Sequence, residues 1–534
     1  MPPSSTKPTI RNYDIIVFGD EIPGVLALVC AAREYFRQTK KYPRSLLLVK
    51  GDSKLGIGGH LVRGGLSYLD RSSVPPAIRK SYQLDTFGDP AAIYKEFLQK
   101  AGVKLIALDP SKASTALQDM LREVGADVFG NFGFESVIKQ DRKISGIRLP
   151  NGDVYMGKQF IDCTVNAELA QAAGVRKLKG FGTLGLPNAE LAVTLTFETQ
   201  GLSIETLKRV EEQYLKRFTS REDAAAQDWI DSAAGYDAKL ATQFRENLVD
   251  KNGNLKKMYV GQDYIDVRCK ALSIAYHAFR GTTLSLKESG AILDNGNVAI
   301  LPGDRLSWNA FLYGVNADEA ETLARGKAKP TADMLKEMEF IIKWFKSIGA
   351  TAVKPASELY IRHAGNIIGV VDPLFGHEML AGGVPASEAL GTFGYHFDVR
   401  GGIEGLGARS TEKGFGEPEF PTPPLFNIGI QHALVKDVPN LAVISPGSGF
   451  EGCACSAGRI IEFNCGVGQG VGIAAAQALM SNRNLADFSN KQVRAILEQT
   501  GRLPKIYGQN YADQASKLRD FEISMADSRI GLTA

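Results

Sequence analysis

The sequence has few of the residues that mark specialised protein classes. Only 6 of its 534 residues are cysteine, too few for a secreted disulfide scaffold in a chain of this length. Neither sign of charge dominates, because 62 Lys+Arg face 59 Asp+Glu, a net charge of +3. This balance gives no electrostatic case for nucleic acid as a partner. With 44% hydrophobic and 23% charged residues, a disordered or fibrous chain is excluded as well.

Long apolar runs are also absent. The longest lie near Val25–Ala32 and Val471–Met480, shorter than the about 20 residues that span a bilayer. The first residues, MPPSSTKPTIRNYD, are polar and lack the apolar core of a secretory signal. We therefore expect no membrane span and a reducing, cytoplasmic location, with a short transit extension left open.

Glycine, by contrast, is abundant. The chain has 56 glycines, half as much again as the average usage of about 7%. Many of them lie at predicted strand ends and in two loops, Leu55–Leu66 and Ser445–Gly472. Glycine at such positions lets the backbone approach a large ligand closely.

The beginning of the chain predicts a βαβ unit. A short apolar run over Tyr13–Phe18 is typical of a buried parallel strand. A turn from Gly19 to Gly24 follows it, then a buried helix over Val25–Ala32 and a second strand over Ser45–Val49. This succession indicates the start of a doubly wound α/β sheet.

Later segments predict that this domain is discontinuous. Gln159–Thr164 and Asn440–Ser445 indicate further buried strands, and Asn151-Gly152 indicates a hairpin. Val193–Thr199 alternates as a half-exposed strand would, and Asp333–Ile348 has the spacing of a packed amphipathic helix. We expect a Rossmann-like domain over 11–182 plus 436–485, an inserted α+β substrate or cap domain over 183–435, and peripheral C-terminal helices over 486–534.

The turn after the first strand matches a phosphate-binding motif only in part. Gly-x-Gly-x-x-Gly is satisfied at Gly19 and Gly24, but its middle position is Glu21. The middle glycine normally lets the pyrophosphate approach, so a carboxylate there opposes binding unless it turns to solvent. The acidic residue expected after the second strand is replaced by Lys50. Lys50 could pair with Glu21, point at a phosphate or be solvated.

Five blocks, in order, resemble the FAD-dependent oxidoreductase family of the glutathione-reductase-like flavoproteins, near its fumarate reductase and HdrA-type branches. They are the turn after the first strand, Leu55–Asp70, Phe160–Gly174, Leu359–Val370 with Gly394–Asp398, and Asn440–Leu479. The resemblance implies a Rossmann-like FAD/NAD(P)-binding domain with FAD as cofactor. It also implies an oxidoreductase that transfers a hydride between FAD and a small-molecule substrate.

The resemblance further implies which residues meet FAD, from the pyrophosphate and ribose to the adenine and the flavin. These are Gly19, Glu21, Gly24, Lys50, Gly58, Gly59, His60, Phe134, Thr164, Gly468, Gln469 and Gly470. The last three are expected to form a helix N-terminus at the pyrimidine end of the flavin, where the helix dipole would stabilise negative charge.

Candidate catalytic residues come from the middle blocks. Only six histidines occur, and a structural role is the alternative for each of them. His363 beside Arg362, and His396 near Asp398, are the candidates for proton transfer and for anchoring an anionic substrate. Covalent flavin attachment at His60 is disfavoured by its spacing from the following glycine pair.

The cysteines leave two interpretations open. Cys453 and Cys455, with Cys465 close behind, could form a redox dithiol or a metal site. The favoured interpretation is small buried residues in a tight loop, because the CxC spacing suits a disulfide poorly. No zinc-type spacing occurs, so no metal is expected.

A second function stays open because the FAD motifs are degenerate. Glu21, Lys50 and the altered block from Thr164 to Glu168 also suit a flavoprotein fold that binds FAD weakly or not at all. Such a chain would serve as a binding or assembly subunit, with a protein partner or as a homo-oligomer.

Overall fold

The fold is built on a five-stranded parallel sheet. The computed structural model describes residues 8–131, 133–416 and 422–526. The sheet consists of β1 (Ile15–Phe18), β2 (Ser45–Val49), β3 (Asp127–Gly130), β4 (Gln159–Asp162) and β5 (Leu441–Val443), in the spatial order β5-β4-β1-β2-β3. Every residue of β1, β2, β4 and β5 is buried, as expected for parallel strands covered on both faces. The predicted α/β class and the βαβ unit are confirmed.

Two long helices pack closely on this sheet. Helix α1 (Ile22–Thr39) follows β1, and helix α2 (Ile461–Ser481) follows β5. Cβ atoms on Gly468 and Gly472 of α2 would lie 2.6 Å from the Pro23 oxygen and 2.4 Å from the Ala27 oxygen. Glycine is therefore required where α2 touches the backbone of α1.

A second, antiparallel sheet stands between β4 and β5 in the chain. Its strands are Val193–Thr194, Phe197–Gln200, Tyr259–Val260, Tyr264–Asp266, Ala291–Leu301, Arg305–Tyr313 and Ala352–Pro355. Helices that accompany it are Ile204–Thr219, Ala224–Ala233, Ala238–Asn247, Ala271–Arg280, Ala317–Arg325 and Ala332–Ser347. In the core between the sheet and these helices, Phe345 meets the rings of Trp308 and Trp344 edge to face.

The expectation of a half-exposed strand over Val193–Thr199 is wrong. Residues from Val193 to Phe197 are all buried, and two of the three threonines in the segment form hydrogen bonds inside the protein. Thr196 donates to the Gly64 oxygen, and the Thr199 hydroxyl accepts a hydrogen bond from Trp308 Nε1 at 3.0 Å. Alternation of apolar and polar residues here marks two buried faces rather than one wet face.

Smaller elements complete the described chain. The other strands are Ile10–Asn12, Ser136–Gln140, Lys143–Arg148, Val154–Met156, Lys177–Leu178, Asn366–Ile367, Leu374–Phe375, Thr392–Gly394, Leu425–Asn427 and Phe450–Glu451. The other helices are Gly59–Val62, Pro76–Ser81, Ala92–Lys100, Pro110–Glu123, Glu168–Ala172, Leu286–Ser289, Gly376–Leu380, Leu406–Glu412, Ala454–Gly458, Asn490–Gln499 and Ala512–Met525, with single 3₁₀ turns at Ser53–Leu55, Gly182–Leu184 and Leu485–Asp487. The predicted hairpin at Asn151-Gly152 is confirmed, since the strands on either side pair antiparallel. Among the described helices, none is long and apolar enough to cross a bilayer.

Candidate cofactor and substrate site

Two motif glycines bring β1, α1 and the end of β4 together. Gly19 has a φ of 93°, and a Cβ there would lie 2.9 Å from the Cys163 carbonyl carbon. A Cβ on Gly24 would lie 2.5 Å from the Cys163 Cβ. The first and third motif glycines are therefore needed for the turn and for helix–strand packing, whatever ligand the turn meets.

The middle motif position, Glu21, turns its carboxyl group toward the following glycine loop. Both carboxyl oxygens accept a hydrogen bond from the His60 backbone N–H at 3.2 Å. A Cβ on Gly59 would lie 2.0 Å from Glu21 Oε1, so the carboxyl fills the notch that this glycine leaves. Burial, reinforced by the charge of Asp20, raises the pKa of Glu21 to about 8.

Asp20 holds the same loop more firmly. Its carboxylate accepts hydrogen bonds from the N–H groups of Gly58 at 2.9 Å and Gly59 at 3.3 Å. Arg63 binds it with two nitrogens, at 2.5 and 2.8 Å, and reaches Glu358 through Nε at 2.7 Å. This buried network ties the turn to the segment that leads back from the antiparallel sheet.

Lys50 follows none of the three alternatives expected for it. Its ammonium group pairs with the Glu168 carboxylate and donates to the Ala324 oxygen at 2.9 Å. Thr164 is likewise engaged, since its hydroxyl donates to Asp162 Oδ1 at 2.7 Å and accepts from the Glu168 N–H at 2.8 Å. Both side chains are thus satisfied by the protein itself.

The space left between these groups is small. The cavity lined by Glu21, Lys50, His60 and Thr164 has a volume of about 50 Å³. This is room for a few water molecules. In this arrangement the residues of the turn do not fit a pyrophosphate, because Glu21 occupies the notch and the His60 amide that it would use.

Gly468, Gln469 and Gly470 do not form a helix N-terminus, which corrects that expectation. Helix α2 begins at Ile461, so these residues lie in its interior. Gly468 packs on α1, and Gln469 Oε1 accepts a hydrogen bond from the Ile93 N–H at 3.1 Å. The two glycines are required for packing, because a Cβ on Gly468 would lie 2.6 Å from the Pro23 oxygen and one on Gly470 would lie 2.7 Å from Ile430 Cγ2. Phe134 packs its ring against Phe18, at 5.1 Å between centroids.

A second cluster surrounds Arg362. This side chain is 1% exposed, and it donates to the Ala192 oxygen at 2.8 Å and to Asn309 Oδ1 at 3.4 Å. It forms no salt bridge within the described residues. Its guanidinium carbon lies 4.5 Å from the centroid of the Tyr360 ring. Burial, together with the nearby charge of Arg400, lowers the pKa of Arg362 to about 10 despite the opposing effect of Tyr360.

Arg459 contacts the hydroxyl end of Tyr360. It donates to the Tyr360 hydroxyl at 2.6 Å and to Asp398 Oδ2 at 2.6 Å. Its Nε is buried and has no hydrogen-bond partner among the described residues. The His60 ring meets the Tyr360 ring edge to face at 5.2 Å. His60 therefore connects Glu21 with the arginine cluster.

The two candidate catalytic histidines contact different groups. His363 Nδ1 lies 2.7 Å from Glu190 Oε1, and both side chains are fully buried. Glu190 and the Cys455 thiol raise the pKa of His363 to about 10, although burial opposes this change. His396 is exposed and stacks on Tyr395 at 4.5 Å.

Several residues at the site were not among the sequence candidates. They are Asp20, Arg63, Glu190, Glu358, Tyr360 and Arg459. The signal that could have found them is a charged residue inside a glycine-rich or apolar block, such as Asp20 in the turn and Arg459 after the CxC segment. A buried charge needs a specific partner or function.

The cysteines are all free thiols and all buried. Cys453 and Cys455 flank the start of the short helix Ala454–Gly458, as the structural interpretation expects. Across the described residues, no group of three or more His, Cys, Asp or Glu side chains is arranged to hold a metal ion.

A parallel sheet with a glycine turn after its first strand defines a Rossmann-type dinucleotide-binding protein. The family model described as FAD dependent oxidoreductase matches residues 14–497. The chain therefore belongs to this family, whose cofactor is FAD, and the predicted family is confirmed. Its placement among the branches of the flavoproteins stays a prediction.

Comparisons with individual proteins are more distant. No curated protein matches the sequence. A geranylgeranyl bacteriochlorophyll reductase-like structure from Thermoplasma acidophilum is 10% identical, with a TM-score of 0.37 over 97% of this chain and 90% of that one. L-proline dehydrogenase from P. horikoshii is 11% identical, with a TM-score of 0.34 over 93% and 100%. The halogenase PltM in complex with FAD is 11% identical, with a TM-score of 0.36 over 92% and 74%. Likenesses at this level carry no inference about the reaction.

Proposed function

We propose that this chain is a FAD-dependent oxidoreductase whose substrate is a small organic anion, with hydride transfer between FAD and that substrate as the reaction. Family membership supports FAD and the oxidoreductase class. The observation that carries the choice of substrate is the buried guanidinium of Arg362, which has no carboxylate partner in the described chain.

An unpaired buried cation is costly for folding. A guanidinium has five N–H donors, and the two acceptors near Arg362 are a backbone oxygen and an amide oxygen. Removing such a charge from water without a counter-ion opposes folding by several kcal/mol. A protein that keeps this arrangement gains when an anion binds beside it, and this cost in stability is typical of functional sites.

The neighbouring charges favour the same class of ligand. Arg400 and Arg459 lie near Arg362, and each already pairs with a carboxylate, Asp294 at 3.1 Å and Asp398 at 2.6 Å. Among the described residues, Arg362 is the one of the three arginines that has no such partner. Arg459 also offers its unpartnered Nε. We assign anion binding to Arg362 and Arg459, with Tyr360 holding both in place through its ring and hydroxyl.

The exposed His396 is the better candidate for exchanging a proton with solvent. Its ring stacks on Tyr395, whose hydroxyl donates to Asp70 at 2.8 Å. His363, with its pKa near 10 beside Glu190, stays protonated at neutral pH. We therefore assign His363 to positioning, as the buried partner of Glu190, rather than to proton transfer.

FAD supplies the hydride chemistry of this family when it is bound. The turn as described does not fit FAD, because the Glu21 carboxyl group occupies the His60 amide. This closed turn also favours a second candidate function, a subunit that binds FAD weakly or not at all and serves in assembly. A cytoplasmic location and a protein partner or homo-oligomer likewise stay predictions.

The test begins with the flavin content of the purified protein. A yellow protein that releases FAD on denaturation, or a colourless one that gains thermal stability with added FAD, supports the oxidoreductase. Small carboxylates and phosphate esters are then screened for binding by thermal shift and for bleaching of the flavin absorbance.

The Arg362→Met variant identifies the substrate site. It should lose the response to those anions while keeping its FAD content. The matched control is Arg122→Met, which changes an exposed arginine on the helix Pro110–Glu123. An anion response that survives in Arg362→Met would contradict the proposed site. No FAD binding at millimolar concentration would instead favour the assembly subunit.

A further inference from the structure

We propose that Glu21 is an internal occupant of the pyrophosphate site, and that FAD binds by exchange, its phosphate oxygens replacing the Glu21 carboxyl group on the His60 amide. This inference rests on the proposed function, since it takes FAD as the ligand. On this proposal, the Glu21 side chain alone is what closes the turn to a phosphate.

The first support is the set of backbone N–H groups at the turn. Gly58, Gly59 and His60 present consecutive N–H groups toward the end of β1. Converging backbone N–H groups of this kind bind the phosphates of dinucleotides. Here the carboxyl groups of Asp20 and Glu21 accept all three hydrogen bonds, so side-chain oxygens stand where phosphate oxygens are expected.

The second support is the space at Gly59. This residue has a φ of 44°, and a Cβ would lie 2.0 to 2.6 Å from three atoms of the Glu21 carboxyl group. A glycine at such a position normally gives a ligand close access to the backbone. The carboxyl group of Glu21 takes that access, and about 50 Å³ of cavity remains.

The two carboxyl groups differ in how easily they can leave. Asp20 is 3% exposed and is held by both terminal nitrogens of Arg63, which Glu358 fixes in turn. Glu21 is held by the His60 N–H at 3.2 Å and by the His60 ring nitrogen at 3.5 Å. Its side chain is 17% exposed. Glu21 is therefore the group that can turn out to solvent, while Asp20 keeps the loop in place.

This exchange affects both the flavin-free and the FAD-bound protein. Without FAD, the His60 amide is already satisfied, so the empty protein carries no orphaned donor there. With FAD, each new contact to this amide replaces an existing one. A hydrogen bond that involves a carboxyl group contributes about 1–3 kcal/mol, so its displacement weakens FAD binding roughly fivefold to 150-fold.

The experiment measures FAD binding to flavin-free protein by quenching of FAD fluorescence. Glu21→Gly removes the occupant and should bind FAD at least about fivefold more tightly than the wild type. Glu21→Gln keeps an oxygen that can accept from His60, and its affinity should stay within a few fold of the wild type. Glu222→Gly, at an exposed position far along the chain, is the matched control and should change nothing.

A second readout does not depend on FAD. Deuterium exchange of the peptide that contains His60 should be faster in flavin-free Glu21→Gly than in the wild type, because its amide loses an acceptor. Added FAD should slow this exchange again. If Glu21→Gly fails to fold, Glu21→Ala and Glu21→Asp serve instead, since a shorter side chain also vacates the Gly59 notch.

The outcomes separate the two proposals. If all variants bind FAD with the affinity of the wild type, Glu21 is not the occupant and the exchange is wrong, while the oxidoreductase stands. If neither the wild type nor Glu21→Gly binds FAD at millimolar concentration, both the exchange and the FAD-dependent function are overturned. Tighter binding confined to Glu21→Gly and the shortened variants supports the exchange.

Discussion

Gly24→Ala tests whether the motif glycines serve the fold rather than the cofactor. The new Cβ would lie 2.5 Å from the Cys163 Cβ and 2.7 Å from its Sγ, whereas carbon atoms in contact sit about 3.5–4.0 Å apart. Overpacking of this kind costs about 1–3 kcal/mol, and a helical Gly-to-Ala change returns at most about 1 kcal/mol. We therefore expect a net loss of about 1–2 kcal/mol.

The assay is calorimetric melting of flavin-free protein, so that loss of cofactor cannot explain the result. For 534 residues that melt in one transition, a loss of this size lowers Tm by about 1–2 °C. Gly407→Ala is the matched control, because Gly407 lies in the helix Leu406–Glu412 and its Cβ would meet no atom within 4 Å. Its Tm should stay equal or rise. Equal melting of Gly24→Ala and the wild type would refute the packing role of this glycine.

Three further predictions follow from the same structure. Burial raises the pKa of Glu21 from 4.5 to about 8, so the wild type should lose stability as pH rises between those values, whereas Glu21→Gln should not. Between pH 5 and pH 8.5, the difference in the free energy of unfolding between the two proteins should grow by up to about 4 kcal/mol, as measured by melting at both pH values. Arg362→Met should leave the free energy of unfolding unchanged or raise it. Arg63→Met leaves the buried carboxylates of Asp20 and Glu358 without their partner and should lower the free energy of unfolding by about 3–5 kcal/mol. A larger loss for Arg362→Met than for Arg63→Met in urea unfolding would contradict our description of both sites. Gly468→Val should lower Tm by more than Gly24→Ala, since its side chain would enter the backbone of α1.

Much of the fold follows from local patterns in the sequence. The strand Ser45–Val49 has the predicted bounds, and the helix predicted over Asp333–Ile348 is observed as Ala332–Ser347. Continuous apolar runs and helical spacing report burial directly, because the same residues must face the core in any packing of those elements. The prediction of a helix N-terminus at Gly468–Gly470 was wrong, because glycine occurs both in ligand-binding turns and at close helix contacts, and here it serves the second role.

The sequence predicted single residues of the site but not the contacts between them. Arg362 and Glu21 were singled out from type and position, and both lie at the centre of a buried cluster. Their partners were not foreseen. Tyr360, two residues from Arg362, and Arg459, almost a hundred residues away, meet through one hydrogen bond, and no spacing rule connects such a pair.

The sequence by itself determined the class of this protein, because strand, turn and helix of a dinucleotide fold are local and their order along the chain is enough to specify the topology. Only the tertiary structure decided how the charges are used. Lys50 could not be matched to Glu168, nor Arg63 to Glu358, since a charged side chain can reach many partners and the packing of distant segments selects one. Only the structure shows that the Glu21 carboxyl group lies on the His60 amide and fills the notch at Gly59. From the sequence, Glu21 is simply an acid at a motif position that normally holds glycine.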